Sequence, residues 1–493
     1  MKRILSVLLA VIMLFTTLVF SLASCGEEET ETKTPTGEKS STSFAEGDIF
    51  EERAAIDDEL PEYDFGGRQL RFVGHSDSEW FVHEDLRNKG NLIADAKFKR
   101  NQIVEDRFNF EIVTAYKAPY YEVTGWVSKS ILSGADEFDV FCSQAASAGS
   151  VVLKNVFLNW YDIPNIDFSK PWWPESNETD LSYDGKCVLA ISDFNYTAIS
   201  CAYCMVFNKN LANSYDMGNL YEVVMNGDWT FDYFMNLVKD VYVDSDGSGD
   251  RSVGDFYGFH QTFGYGCYLN SWLWAFDNPA VKKDETGVPT IAIKTDKINN
   301  ICTAIYDMCY NTNGVYYDHE NNEVPNLFFS KRSIFTIVTL GSPTTEGLRN
   351  FEDEYGLLPM PKWDEHQKDY LTMSHGDHTV LAIPKTVKDT EFVGTCIEAL
   401  SAESYKQVVP TLYEIALKTR YLRDNESKDV LDLIIKGRTY EFGYIYGANE
   451  GFGFMLSDIL SKSSPNFESY YNRRQRNAKY HFKQIIKVFD KMD

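Results

Sequence analysis

Strands and helices alternate from Gln69 onward, which predicts an α/β fold built on a doubly wound sheet and extended by a second core. Three observations carry this expectation. First, Gln69–Val73 reads as a strand, 91–108 as a helix, Phe110–Thr114 as a strand, 121–132 as a helix and 138–142 as a strand. That succession opens a doubly wound sheet. Second, 493 residues supply chain for two or three domains. Third, the stretch 185–211, GKCVLAISDFNYTAISCAYCMVFNKNL, holds two short apolar runs, 187–191 and 198–207, around a polar and aromatic middle. A buried strand that stops, shows polar groups and resumes fits a chain leaving one core for another. It fits equally an ordinary hairpin inside one domain. In the first case the middle lines a gap between two lobes, a favoured place for a small ligand.

The chain begins with Met1-Lys2-Arg3, a run of apolar residues from Ile4 to Phe20, and Leu22-Ala23-Ser24-Cys25. This is a secretory signal with a lipobox over 1–24. Its cleavage leaves Cys25 as the first residue, its thiol carrying a diacylglyceryl group. The other reading, a membrane-spanning helix, needs a slightly longer apolar run. Each buried methylene adds ~0.8 kcal/mol, so two or more acyl chains anchor stably. Residues 25–60 are rich in Glu, Thr, Ser and Gly and read as a disordered acidic tether. The expected location is the extracellular face of the membrane.

Asp and Glu number 73 against 47 Lys and Arg, a formal charge of -26. That balance opposes nucleic-acid binding and repels anions at long range. Of nine cysteines, eight lie beyond Cys25, with no small-domain disulfide spacing. Cys201 and Cys204 fall inside an apolar run and read as core residues rather than zinc ligands.

Ligands of doubly wound sheets bind beyond the carboxyl ends of the strands. That nominates His75, Ser143 and, above both, Gln144. Thr230 reads as the N-cap of a helix whose buried face is Phe231, Phe234, Leu237 and Val238. The helix runs into DSDGSGDRSVGD, 244–255, the sharpest local motif in the chain. It matches the calcium-loop pattern at its first, third and fifth positions, with Gly249 at the turn and an acid at the twelfth. Asp244, Asp246 and Ser248 would bind through side chains, Asp250 through its carbonyl and Asp255 through its carboxylate, holding a structural Ca²⁺. An aspartate in the last place is shorter than the usual glutamate and implies a weaker site. A solvated turn is the alternative. His375 and His378 could bind a metal, but no third ligand is marked, and a polar hinge lining is the simpler reading.

Lys170-Pro-Trp-Trp-Pro174, Asp184-Gly-Lys186, the run 187–191 and Phe207-Asn-Lys-Asn-Leu211 together resemble the first interlobe crossing of extracellular solute-binding proteins. These are the ligand-capturing subunits of bacterial ABC importers, here the sugar-binding family 1 that includes maltose-binding protein. Phe328 to Phe335 with Leu340-Gly341-Ser342 resembles a further family segment, though Ser330 and Ser333 replace its usual small residues. Tyr355 to Pro361 resembles another. The D-x-D-G-x-G loop followed by Tyr257-Gly258-Phe259, and the segment 402–424, are similar to clostridial lipoproteins of this kind.

The resemblance implies a two-lobed periplasmic-binding-protein (type II) fold with an interlobe hinge. Lobe I would take 61–195 and 378–410, and lobe II 196–377 and 411–493. It implies a monomeric, non-enzymatic receptor that captures a carbohydrate, an oligosaccharide, and passes it to ABC permease subunits. Asp193, Asn195 and Tyr196 at the first crossing and Asp377 at the second would line the cleft floor. Gln144, Gln261, Tyr265, Trp272 and Trp274 would supply amides and rings, which suit the apolar face and hydroxyl rim of a pyranose. A surface glycoside hydrolase and a non-transport glycan sensor are the alternatives.

Overall fold

The computed structural model describes residues 48–76, 92–263, 267–318, 326–342, 346–418 and 426–492. The chain divides into two units, Met1–Asp48 and Ile49–Asp493, and both main sheets lie in the second. The lipobox, Cys25, most of the predicted tether and Tyr265 fall outside the described residues. No helix among the described residues is long and apolar enough to cross a membrane.

Near the start of the chain the strands are β1 Arg68–His75, β2 Phe110–Ala118 and β3 Val140–Gln144. The middle contributes β4 Tyr203–Asn208, β5 Tyr242–Val243, β6 Phe256–Gln261 and a hairpin of β7 Val281–Lys283 with β8 Pro289–Ile291. Next come β9 Val315–Tyr317, β10 Ser333–Thr339, β11 Tyr355–Leu358, β12 Thr372–Met373, β13 Thr379–Ala382 and β14 Arg438–Thr439. The first sheet runs β13-β3-β1-β2, with β1 parallel to β2 and β3, and β13 antiparallel to β3. The second runs β11-β4-β10-β6-β5, with β9 also on β6.

The local signals in the sequence form the expected elements. Helices Leu92–Phe108 and Tyr120–Leu132 connect β1, β2 and β3. Gly134 follows the second helix at φ 75° and donates its N–H to the Ile131 carbonyl, a backbone state that favours glycine. Thr230 caps the helix Phe231–Val238 through Tyr233 N. Phe231, Phe234 and Val238 are buried there, while Leu237 is half-buried.

Three local expectations change. The tether ends before residue 60. Helix Asp48–Ala54 places the Arg53 guanidinium 4.2 Å from the Tyr405 ring centroid, and buried Asp58 pairs with Arg107 at 2.5 Å. Residues 187–191 are buried but form no strand, and the bridge Ala190–Leu381 joins their backbone to the first sheet. Side chains replace the missing ladder partners: Asn159 Oδ1 accepts from Cys187 N, Tyr446 Oη from Leu189 N and Asn177 Oδ1 from Ile191 N. Buried backbone groups must be satisfied, and these polar side chains do it. The run 198–207 splits into a short helix, Thr197–Ser200, and β4. Cys201 therefore caps a helix and is half-buried, whereas Cys204 is buried in β4. All eight described cysteines are free.

The Trp-Trp pair of the first resembling segment has a clear role. Trp172 Nε1 and Trp173 Nε1 each donate at 2.8 Å, one to each oxygen of Glu398 on helix Thr390–Glu403. Burial pushes the Glu398 carboxyl up to about 7, against the pull of both indole donors. The folded state thus keeps this proton at pH values where the unfolded chain, at about 4.3, has released it. The contribution of Glu398 is fully favourable below the unfolded pKa and declines as pH rises through about 7. Glu398→Gln should flatten this slope between pH 5 and 7.5, measured as the change in melting temperature against wild type. Equal slopes in both proteins would contradict the assignment.

Three segments run between the sheets. The first is 197–202, entering β4. The second is 372–378, entering β13. The third is 437–442, which carries β14 and leads to helix Phe442–Gly447. They are laced together by the Ala202–Ser374 bridge, the parallel β12–β14 pair and two hydroxyl donors, Ser374 Oγ and Tyr440 Oη, on the Ala198 carbonyl. Helix Phe442–Gly447 then packs on helix Ala145–Val152, which directly follows β3. A Cβ on Gly149 would lie 2.5 Å from the Tyr446 carbonyl oxygen, so only glycine permits this approach.

Candidate ligand cleft

The carboxyl ends of strands from both sheets meet the crossing segments. After β3, Ala145 N donates to His378 O and Ala146 N to Gly376 O. After β10, Leu340 N donates to Ala202 O and Gly341 N to Ser200 O. The seam between the sheets is therefore floored by residues 200–202 and 374–378, where the fold class places ligands.

Asp377 is the centre of this floor. Its side chain is 60% exposed, and its Oδ1 accepts from Gln144 Nε2 at 2.5 Å. Asp377 N donates to His375 Nδ1 at 3.1 Å, so that nitrogen carries no proton. Burial lowers the His375 pKa, only partly offset by Asp377. The His375 ring centroid lies 5.7 Å from Tyr203 and 6.3 Å from half-buried Tyr268, which begins the helix Cys267–Ala275. Burial, with the nearby Asp377 charge, pushes the thiols of Cys201 and Cys267 up to about 12, so both are protonated. Gly376 is needed because a Cβ there would stand 2.4 Å from Tyr444 Oη and 2.8 Å from Ala146 Cβ. His75 Nδ1 and Ser143 Oγ, at the ends of β1 and β3, are both buried and 3.4 Å apart. A carboxylate, a carboxamide and a phenol thus converge from β3, the second crossing and the second half of the chain.

The structure does not gather all the expected residues here. Asp193 is half-buried and lines a separate cavity of about 150 Å³ with Arg438 and Tyr440. Burial raises its carboxyl to about 7, with Arg53 and Arg438 pulling the other way. Asn195 is buried and donates to Thr379 Oγ1 at 2.8 Å. Tyr196 is buried with the Lys97 ammonium 5.7 Å from its ring centroid. Gln261 and Trp272 are fully buried and bond each other, Trp272 Nε1 to Gln261 Oε1 at 2.8 Å. Trp274 donates to Glu441 Oε2 at 2.8 Å, away from Asp377. Sequence reasoning passed over Cys201, Tyr268 and Tyr444. Tyr268 lay within the aromatic stretch already singled out, and no local pattern marked Tyr444.

His375 and His378 do not converge on a metal site. His375 Nδ1 takes Asp377 N, and His378 Nδ1 faces the His375 carbonyl at 2.9 Å. Burial lowers His378 to about 4.

The acidic loop does converge. Carboxylate oxygens of Asp244, Asp246 and Asp255 lie within 4.8 Å of one another. Gly247 and Gly249, at φ 70° and 79°, turn the chain so that their N–H groups meet Asp244. The Ser252 and Ser248 donors hold Asp246 at about 2. Burial opposes ionisation of Asp255, but the N–H groups of Ser252 and Ser245 outweigh it and lower its pKa. Carboxylate oxygens carry two lone pairs each, so these bonds leave acceptors for a cation. Ser248 Oγ and the Asp250 carbonyl, both expected as ligands, instead bond each other at 2.9 Å.

No protein-family model and no curated protein sequence matches the chain. Solved structures do. The Listeria monocytogenes ABC substrate-binding protein Lmo0181, in complex with cycloalternan, superposes with a TM-score of 0.53 at 10% identity, over 86% of this chain and 99% of that one. The GacH receptor of Streptomyces glaucescens, solved unliganded and with acarbose, gives 0.52 at 11% identity, over 87% and 100%. The chain therefore has the two-lobed fold of the ABC substrate-binding proteins.

Proposed function

We propose that this chain is a receptor that captures a neutral carbohydrate, an oligosaccharide, between its two lobes and delivers it to the permease of an ABC importer. The observation that carries this reading is the Gln144–Asp377 hydrogen bond at the second crossing, beside the His375 ring that Tyr268 packs against. Carboxylate and carboxamide groups suit hydroxyls, and a flat ring suits a pyranose face. The charge of -26 disfavours anionic cargo. Closure would be a population shift: a sugar that contacts both lobes favours the closed arrangement. Lipid on Cys25 and the acidic tether after it would hold the receptor, as a monomer, at the outer face of the membrane. A thermal-shift screen against mono- and oligosaccharides tests the reading, because a ligand bound only by the folded state raises the melting temperature. Tight binding of a peptide with no response to any glycan would overturn it.

The same reading gives the loop at Asp244 a structural Ca²⁺, held by the carboxylates of Asp244, Asp246 and Asp255. Millimolar Ca²⁺ should raise the melting temperature, and the double variant Asp244→Ala, Asp246→Ala should abolish the response. Identical curves in calcium and in chelator leave only a solvated turn.

A further inference from the structure

A cavity of about 370 Å³ lies apart from the cleft floor, and neither Gln144 nor Asp377 lines it. Small-molecule sites run roughly 300–1,000 Å³. Its walls come from four parts of the chain: residues 179–180 ahead of the first crossing, residues 274–283 after β6, Leu371 just before the second crossing, and residues 439–442 of the third crossing.

Two opposite charges line this space and attract each other without forming an ion pair. Asp180 and Lys283 are both half-buried. Lys283 Nζ donates instead to the Glu178 carbonyl at 3.1 Å, and no ion pair involving either residue occurs among the described residues. Burial raises the Asp180 pKa, against the Thr179 and Tyr440 donors and the Lys283 charge, and lowers that of Lys283, against the Asp180 charge. At the rim, Asp277 and Lys282 neutralise each other at 3.1 Å. The rest of the wall mixes apolar side chains with Thr179, Thr439, Tyr440 and Glu441. Trp274 is pinned through Nε1 to Glu441 Oε2, Glu441 Oε1 accepts from Val281 N, and the Phe442 side chain is buried.

A free anion in this cavity meets Asp180, and a free cation meets Lys283. An apolar molecule offers neither charge a new partner. A molecule carrying both signs satisfies both and lays its hydrocarbon on Trp274 and Phe442. We propose that this cavity is a second ligand site, taking a zwitterion of amino-acid size with its ammonium on Asp180 and its carboxylate on Lys283. The site is independent of the carbohydrate reading.

Calorimetry of the intact protein with each of the twenty L-amino acids tests the idea. At least one should bind, and Asp180→Asn and Lys283→Met should each weaken it tenfold or more. Asp180→Glu and Lys283→Arg should retain part of the affinity, and circular dichroism checks that every variant folds. Asp377→Ala should leave this binding unchanged while weakening that of a sugar. No heat from any amino acid overturns the proposal, as does equal affinity in both charge-removing variants or loss through Asp377→Ala. Crystals grown with the tightest binder should hold it between Asp180 and Lys283. Water alone at that place overturns the proposal too.

Discussion

Replacing Trp272 with alanine is expected to remove about 3–5 kcal/mol of stability, the usual cost of truncating a fully buried aromatic. Trp272 has no exposed surface, and its ring centroid lies 5.5 Å from Phe276, 5.6 Å from Phe231 and 6.1 Å from Phe234. The truncation also strands Gln261 Oε1, which is buried and has Trp272 Nε1 as its donor. Whole domains hold only about 5–15 kcal/mol of net stability, so the loss is a large share. Urea unfolding measures it. Trp272→Phe should lose less, since it keeps most of the ring. Sugar affinity of the folded fraction should not change. Intact stability with lost sugar binding would return Trp272 to the ligand-contacting role expected from the aromatic stretch.

Asp377→Ala should weaken carbohydrate binding ten- to a hundredfold and leave the melting temperature nearly unchanged. Losing a hydrogen-bond partner in a desolvated site costs about 1–3 kcal/mol, and each 1.4 kcal/mol is about tenfold in affinity. The carboxylate is 60% exposed before ligand arrives, so folding depends little on it. Gln144→Ala should act in the same direction but more weakly, because it removes the neighbour that orients Asp377 at 2.5 Å. Asp193→Ala is the comparison, since Asp193 lines another cavity. Calorimetry with the best glycan separates the cases. Full affinity in Asp377→Ala together with loss in Asp193→Ala would put the ligand on the other side of the crossing segments.

Wherever a structural choice is made within a few residues, the sequence determined it. The order strand, helix, strand, helix, strand from β1 to β3 follows from apolar periods that need no distant partner. The Thr230 cap and the convergence of Asp244, Asp246 and Asp255 are local in the same sense, because twelve residues with two glycines at positive φ can close on themselves. The first crossing was legible only as a break between two apolar runs, which an ordinary hairpin inside one domain explains equally well.

Tertiary structure decided the faces. Residues 187–191 look like a strand, yet their N–H groups are claimed by Asn159, Asn177 and Tyr446, and the last of these lies more than 250 residues away along the chain. Tyr268 and Trp272 sit one turn apart on a helix that is apolar nearly all round, so no periodicity could say that the tyrosine reaches the floor and the tryptophan the core. Asp193 and Asp377 both flank crossing segments and are alike in sequence character. What separates them is how those segments lie against one another, through Ala202 on Ser374 and Thr372 on Gly437. Those pairings join residues far apart in sequence, so the side of the hinge that each acid faces is fixed only when the three crossings come together.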